Sequence, residues 1–304
     1  MIALDSGLGR PAMAACYLLE GQGSVAVIEA GTNHSVPRIQ ALLQARGWSL
    51  EQVSHVMVTH VHLDHAGGAG ALMALCPRAQ LVVHPRGARH LVAPERLEAS
   101  VRQVYGDAVF NRDYGTLVPV SEHRVLALDD GASLSVGGRS LLFRHTPGHA
   151  RHHFCIWDAR TRGWFTGDTF GLCYRGFDGP QGPFIVPTTT PVQFDPPALK
   201  ASIALLMARS PDWMYLTHFG RIAASARLAS DLQAHIDGLV AIAQDCAQRE
   251  HREAAMATAM MARFLGAAQA QEVGLDPTTM EVLLANDVTL NAQGLACWLD
   301  QQRR

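Results

Sequence analysis

Lysine is nearly absent from this chain of 304 residues: Lys200 is the single one, and the other cationic side chains are arginines scattered without a run. A surface with no basic cluster cannot track a phosphate backbone or an anionic bilayer, so neither nucleic acid nor membrane is expected as a partner. No apolar run reaches the ~18 residues that a membrane span requires. The N-terminus lacks a charged start followed by an apolar stretch, so no secretion signal is expected. Cysteine forms no CxxC pair and no close framework. Cys16, Cys76, Cys155, Cys173, Cys246 and Cys297 fall mostly in apolar segments, where core packing is their expected role. Together these absences point to a cytoplasmic protein. Hydrophobic residues make up 48% and charged residues 17%, which supports a sizeable core and argues against disorder.

What the chain does have is a dense polar stretch, THVHLDHAGG from Thr59 to Gly68. It packs His60, His62, Asp64 and His65 into six residues. An apolar run, Val53 to Val58, precedes it and reads as a buried strand, and Ala66 to Leu75 reads as a helix. The polar groups therefore sit on a tight strand-to-helix loop. Imidazole and carboxylate are ordinary zinc ligands, and imidazole also suits iron.

Around this stretch the pattern alternates between strands and helices. Met13 to Leu19 and Ser24 to Glu29 read as a hairpin, and a helix follows with Ser35 as its expected cap and Pro37 just inside. Gln80 to His84 reads as a strand and Pro85 to Tyr105 as two short helices. Leu134 to Val136, Ser140 to His145, His153 to Trp157, Gly163 to Thr166 and Trp213 to Leu216 read as further strands. Phe170 to Pro197 is rich in glycine, proline and threonine, including Thr188 to Thr190 and Pro191. It reads as a lid or substrate wall. After Gly220 the apolar positions recur at helical spacing. Leu228 to Cys246 and Met256 to Phe264 give two helices, and Asp276-Pro277 and Leu295 to Leu299 mark two shorter ones. The methionines there read as core filler.

THVHLDHAGG resembles the HxHxDH signature of the metallo-β-lactamase superfamily. Three later segments match the remaining ligand positions of that family in order: TPGHA with His149, FTGDT with Asp168 and LTHFG with His218. The resemblance covers roughly Asp5 to Gly220. It implies an α/β fold, an αββα sandwich over residues 1–221, followed by a C-terminal α-helical extension over 222–304. It also implies two divalent metal ions, zinc first, with iron or manganese as the other candidates. His60, His62 and His149 would hold one ion, Asp64, His65 and His218 the other, and Asp168 would bridge them.

Two ions about 3.5–4 Å apart can lower the pKa of a shared water and clamp an attacked carbonyl or phosphoryl group. The expected function is a dinuclear-metal hydrolase that uses metal-bound hydroxide on an acyl bond. The thioester, ester or lactone would belong to a small, partly hydrophobic substrate, as in the glyoxalase II-like and quinolone-signalling thioesterase groups that the layout resembles. Asp64 is the expected proton-handling carboxylate. Glu29, Asp5 and His153 are candidates for orienting the ligands. Phe170, Tyr174, Phe177 and Phe194 are candidates for the substrate pocket. His55, His84, His90, His123 and His145 read as ordinary surface or core residues. The helical tail is expected to lie over the mouth of the site or to pair with a second chain as a homodimer. Two other classes stay open: a non-hydrolytic iron oxidoreductase of the same fold, and a partner-binding regulator with hydrolysis as a side activity.

Overall fold

The computed structural model describes residues 1–189 and 192–303, with the side chains at 104 and 105 excepted. Thr190 and Pro191, at the end of the expected lid, thus lie outside the described residues. In chain order the elements are β1 (Ile2–Asp5), β2 (Ala15–Glu20), β3 (Val25–Ile28), α1 (Val36–Ala45), β4 (Val53–Met57), α2 (Leu63–Ala66), α3 (Ala69–Leu75), β5 (Gln80–Val83), α4 (Pro85–Val92), α5 (Glu95–Tyr105) and α6 (Asp107–Asp113). Then come β6 (Val125–Ala127), β7 (Ser133–Val136), β8 (Arg139–His145), β9 (Phe154–Asp158), β10 (Gly163–Gly167), β11 (Asp178–Gly179) and β12 (Gly182–Pro183). The chain ends with α7 (Pro196–Met207), β13 (Trp213–Leu216), β14 (Gly220–Ala223), α8 (Ala226–Cys246), α9 (Arg252–Ala270) and α10 (Pro277–Gln302). These elements form two compact units. One comprises Met1–His145, His152–Gly167 and Asp212–Arg221; the other comprises Thr146–Arg151, Asp168–Pro211 and Ile222–Arg304.

The first unit is a sandwich of two six-stranded sheets, ordered β1-β2-β3-β4-β5-β6 and β14-β13-β10-β9-β8-β7. Alternation along the strands divides its apolar residues between two cores. Tyr17, Leu19, Ala26, Ile28, Met57 and Val82 of the first sheet share a core with Leu141, Phe143, Phe154, Ile156, Phe165 and Tyr215 of the second. The intervening residues Cys16, Leu18, Val27, Val56, Leu81 and Val83 face the other way and pack with Ile39, Leu43, Leu72 and Met73 of α1 and α3. Burying each large apolar side chain is worth about 1.5–3 kcal/mol. A one-residue slip would move every such side chain to the wrong face, so the pattern fixes the register. The edge strands β1 and β6 did not stand out in the sequence, because four and three residues carry too little periodicity to read.

The first long helix starts where the sequence places it, with Pro37 in its first turn. Ser35 stands at the N-cap of α1, but its hydroxyl accepts from Thr32 N at 3.0 Å, closing a short turn before the helix.

The second unit is mainly helical. Leu228, Leu232, Ile236, Leu239, Ala243 and Cys246 are all buried on α8, as are Met256, Met260 and Phe264 on α9. The two short helices expected after Asp276 are one helix of 26 residues, α10. Asp276 does cap it, accepting from Thr279 N at 2.9 Å. Met280, Leu284, Val288, Ala292, Leu295 and Leu299 continue a single buried stripe, which Asn286-Asp287 and Gly294 obscure in the sequence. Helix α7 was not foreseen. It starts at Asp195, which accepts from Ala198 N at 3.1 Å, with prolines in its first turn.

Candidate metal centre

In the first unit, the end of β4 delivers the polar stretch. His62 is the N-cap of α2, which carries Asp64 and His65 in a single turn. The turn must fold back tightly after that. A Cβ at Gly68 would lie 2.5–2.6 Å from the carbonyl oxygens of Thr32 and Ala30, so only glycine fits there. His60 and His65 are fully buried, whereas the Asp64 side chain keeps 25% of its surface exposed. His60 Nε2 meets His62 Nδ1 at 2.7 Å. Asp64 Oδ2 lies 3.2 Å from His218 Nε2 and 3.5 Å from His65 Nε2. His218 arrives from the end of β13.

The outer nitrogens of three of these rings are held. His65 Nδ1 is 3.1 Å from Glu29 Oε1, His218 Nδ1 is 2.8 Å from the carbonyl of Met13, and His60 Nδ1 is 3.1 Å from Thr59 Oγ1. Glu29 is the hub of this support. It is 1% exposed, and its carboxylate also accepts from Thr59 N at 3.2 Å, Thr59 Oγ1 at 2.5 Å and Thr217 Oγ1 at 3.3 Å. Its backbone has a φ of 61°, a left-handed conformation that a non-glycine residue adopts at a cost and that commonly marks a constrained functional position.

In the second unit, His149 and Asp168 meet, with His149 Nε2 at 3.2 Å from Asp168 Oδ2. The Thr188 hydroxyl lies 2.8 Å from His149 Nδ1 and donates to Asp168 Oδ2 at 3.4 Å. The loop bearing His149 is fixed from both sides. Asp195 N donates to Gly148 O at 2.8 Å, and Ser202 Oγ donates to Pro147 O at 2.7 Å. Gly148 has a φ of 129°, and a Cβ there would lie 2.3 Å from the Leu199 backbone.

A sequence profile of the Metallo-beta-lactamase superfamily matches residues 9–218. The chain belongs to that superfamily. Its fold is the α/β metallo-β-lactamase fold with added C-terminal helices. It is 26% identical over 186 residues to the metallo-beta-lactamase fold-containing protein ST1585 of Sulfurisphaera tokodaii, covering 60% of this chain and 64% of that one. It is 32% identical over 165 residues to a hydroxyacylglutathione hydrolase of Methylococcus capsulatus, covering 54% and 51%. It is 30% identical over 162 residues to the acyl-coenzyme A thioesterase MBLAC2 of Gallus gallus, covering 50% and 56%. The chain thus spans about half to two thirds of the length of these relatives. The crystal structure of ST1585 superposes with a TM-score of 0.68 at 21% identity and covers 97% of both chains, a likeness of fold.

The donor set of this metallo-β-lactamase-fold protein suits divalent cations. The ligand atoms of Asp64, His65 and His218 all lie within 4.8 Å of one another. Imidazoles whose outer nitrogens are already hydrogen-bonded present the inner one in a fixed direction, an arrangement that favours metal ligation.

The other expected site residues have varied placements. Glu29 meets the candidate ligand His65 directly. The ring of His153 is fully buried at 4.8 Å from that of His60. Asp5 supports a turn instead: its oxygens accept from Gly7 N at 2.9 Å and Ala12 N at 3.0 Å. The expected aromatic wall is committed to core packing. Phe170, Tyr174 and Phe177 are at most 1% exposed, Tyr174 packs edge-on to Phe177, and the Tyr174 hydroxyl donates to Asp287 of α10 at 3.0 Å. Glycine and proline made the segment read as a loop, and its internal pairing was invisible. Phe194 lines a cavity of about 270 Å³ with Pro147, Gly148, Arg151 and Trp298.

Sequence reasoning missed Thr59, Thr188, Thr217 and His152. The last sits beside His153 and presents its ring edge-on to His62 at 5.5 Å. The pair of histidines after Arg151 was a visible signal for it. The threonines carry no signal, because a hydroxyl that orients an imidazole looks like any other threonine. Among the five histidines read as ordinary, His84 is the N-cap of α4: its Nδ1 accepts from Arg86 N at 3.0 Å. Burial, with help from His145 and Arg86, pushes His84 down to about 4.

Proposed function

We propose that this protein is a metal-dependent hydrolase that cleaves an acyl bond, a thioester before an ester or lactone, in a small and partly hydrophobic substrate. The observation that carries this reading is the group formed by Asp64, His65 and His218, an open carboxylate facing two buried imidazoles that are oriented from behind. His60 and His62 would form the first part of a second ligand set, which His149 would complete, with Asp168 shared between the two. Two divalent ions held there, zinc before iron or manganese, would acidify a water molecule and polarise the acyl carbonyl.

The chain's own residues do the rest. Glu29 holds His65, the Met13 carbonyl holds His218, and Thr188 holds His149, each fixing which ring nitrogen stays available. Asp64 is the proton-handling group: its carboxylate is reachable from solvent and can accept a proton from an attacking water. Two features support acyl over phosphoryl substrates. The sequence has no run of basic residues to neutralise phosphates, and the two relatives above with activities in their names are a hydroxyacylglutathione hydrolase and an acyl-coenzyme A thioesterase. All six cysteines are outside disulfides, in keeping with a reducing, cytoplasmic setting. Among the described residues no helix is long and apolar enough to cross a membrane.

The test is a panel of thioesters, lactones and phosphoesters given to protein loaded with zinc, manganese or iron. Hydrolysis of acyl substrates is the expected result. Activity confined to phosphodiesters would reject the acyl reading, and iron retention with no hydrolysis would favour an oxidoreductase.

A further inference from the structure

Asn291 stands out on α10 because it is polar where the helix is otherwise apolar. It is 2% exposed, on the buried face that also carries Val288, Ala292 and Leu295. A buried amide is tolerated when its groups are hydrogen-bonded. Here the bonds all go to one segment about a hundred residues earlier. The Asn291 side-chain oxygen accepts from Thr189 N at 2.7 Å, its Nδ2 donates to Pro187 O at 3.1 Å, and its backbone carbonyl accepts from Thr189 Oγ1 at 3.0 Å. The residue between these two anchors is Thr188, whose hydroxyl contacts His149 Nδ1 and Asp168 Oδ2.

The rest of the segment is tied in the same way. Leu172 and Val186 exchange backbone hydrogen bonds at 2.9 and 3.1 Å, so the stretch that starts at Asp168 returns to Thr188 as a closed loop. One turn before Asn291, Asp287 accepts the Tyr174 hydroxyl. Helix α10 therefore grips the loop at two points.

We propose that Asn291 is a positioning residue for the metal ligands His149 and Asp168, acting through the 187–189 segment and the Thr188 hydroxyl. The proposal rests on the metal-centre reading above. Through it the C-terminal helix sets the direction of two ligands that lie far earlier in the chain.

The experiment is zinc affinity of the full-length protein by competition with a chromophoric chelator, with thermal stability measured alongside. Asn291→Ala should weaken zinc binding by about 10–100-fold, the effect typical of groups that orient metal ligands. Thr188→Val should give a loss of the same order. The double variant should lose no more than the larger single loss, because both act through one hydroxyl. Asn291→Asp keeps the oxygen that accepts from Thr189 N but sets a second acceptor against the Pro187 carbonyl, so it should lose at least as much affinity as Asn291→Ala. Should Asn291→Ala not fold, Asn291→Asp with Thr188→Val provides the same comparison. A folded Asn291 variant with wild-type zinc affinity, or losses that add in the double variant, would overturn the proposal. Wild-type protein that takes up no zinc would instead defeat the metal-centre reading itself.

Discussion

Each of the two units holds its own candidate ligands, and the means differ. In the first unit one buried acidic side chain does the holding, with Glu29 collecting Thr59, His65 and Thr217 around it. In the second the holding is neutral: Thr188 contacts His149 and Asp168, and Asn291 fixes the chain on either side of Thr188. The difference concerns what fails when a holder is lost. Removing a buried carboxylate strands several buried donors at once, so damage there should reach the whole fold. Removing a neutral hydroxyl strands little, so damage there should stay in the ligands.

The largest effect should come from Glu29→Ala. Each buried donor left unsatisfied costs about 1–3 kcal/mol, and four contacts are lost, so the variant should lose at least about 4 kcal/mol of stability along with its zinc. Urea titration is the measurement, and a loss below about 1 kcal/mol would erase the contrast between the units.

Asp64→Asn should separate chemistry from support within the first unit. Asp64 is partly open and no other side chain depends on it in the way that His65 depends on Glu29. Its kcat should fall by about 10²–10⁴-fold with KM little changed and the folded state intact. Steady-state kinetics would remove Asp64 from the mechanism if kcat stayed at the wild-type value.

Acid should act on both units alike. Burial pushes His235 of the second unit down to about 4, with Arg263 adding to the effect and Asp231 opposing it. His84 of the first is likewise at about 4. The ordinary value is about 6.5, so the unfolded chain binds these protons first as pH falls. Each histidine should therefore leave stability unchanged above about pH 7 and cost up to about 3 kcal/mol as pH drops from about 6.5 to about 4. His235→Leu and His84→Asn, the second keeping a helix cap, should each flatten the acid limb in denaturation curves between those values. An unchanged acid limb would show that other groups set it.

Thr188→Val should have the smallest effect on stability, about 1 kcal/mol, while zinc affinity still falls. A stability loss as large as that of Glu29→Ala would show that the two kinds of holder do not differ.

The same contrast explains what could be read in advance. Four of the first unit's candidate ligands lie in one contiguous stretch after an apolar strand, His218 follows much later in its own short motif, and the alternation of strands with helices was legible around them. The carboxylate of Glu29 was readable as a strand-end acid near the motif. The second unit's supports were not readable, because Thr188 is 39 residues from His149 and Asn291 is 102 from Thr189. Such pairs exist only once α10 is folded, and α10 itself was read as two pieces because its polar residues masked the stripe. The aromatic residues after Asp168 show the same limit: Phe170, Tyr174 and Phe177 are buried, and the Asp287 partner of Tyr174 lies 113 residues along the chain, beyond the reach of local composition.

The proposed two-ion reading of the seven side chains is tested most directly by elemental analysis coupled to ligand variants. Protein loaded with zinc and passed through a desalting column should carry two ions per chain. His149→Ala should reduce that number to about one, and Asp168→Ala should weaken both sites, since it is the proposed bridge. One ion or none in the wild-type protein, after zinc, manganese and iron have each been offered, would contradict the account.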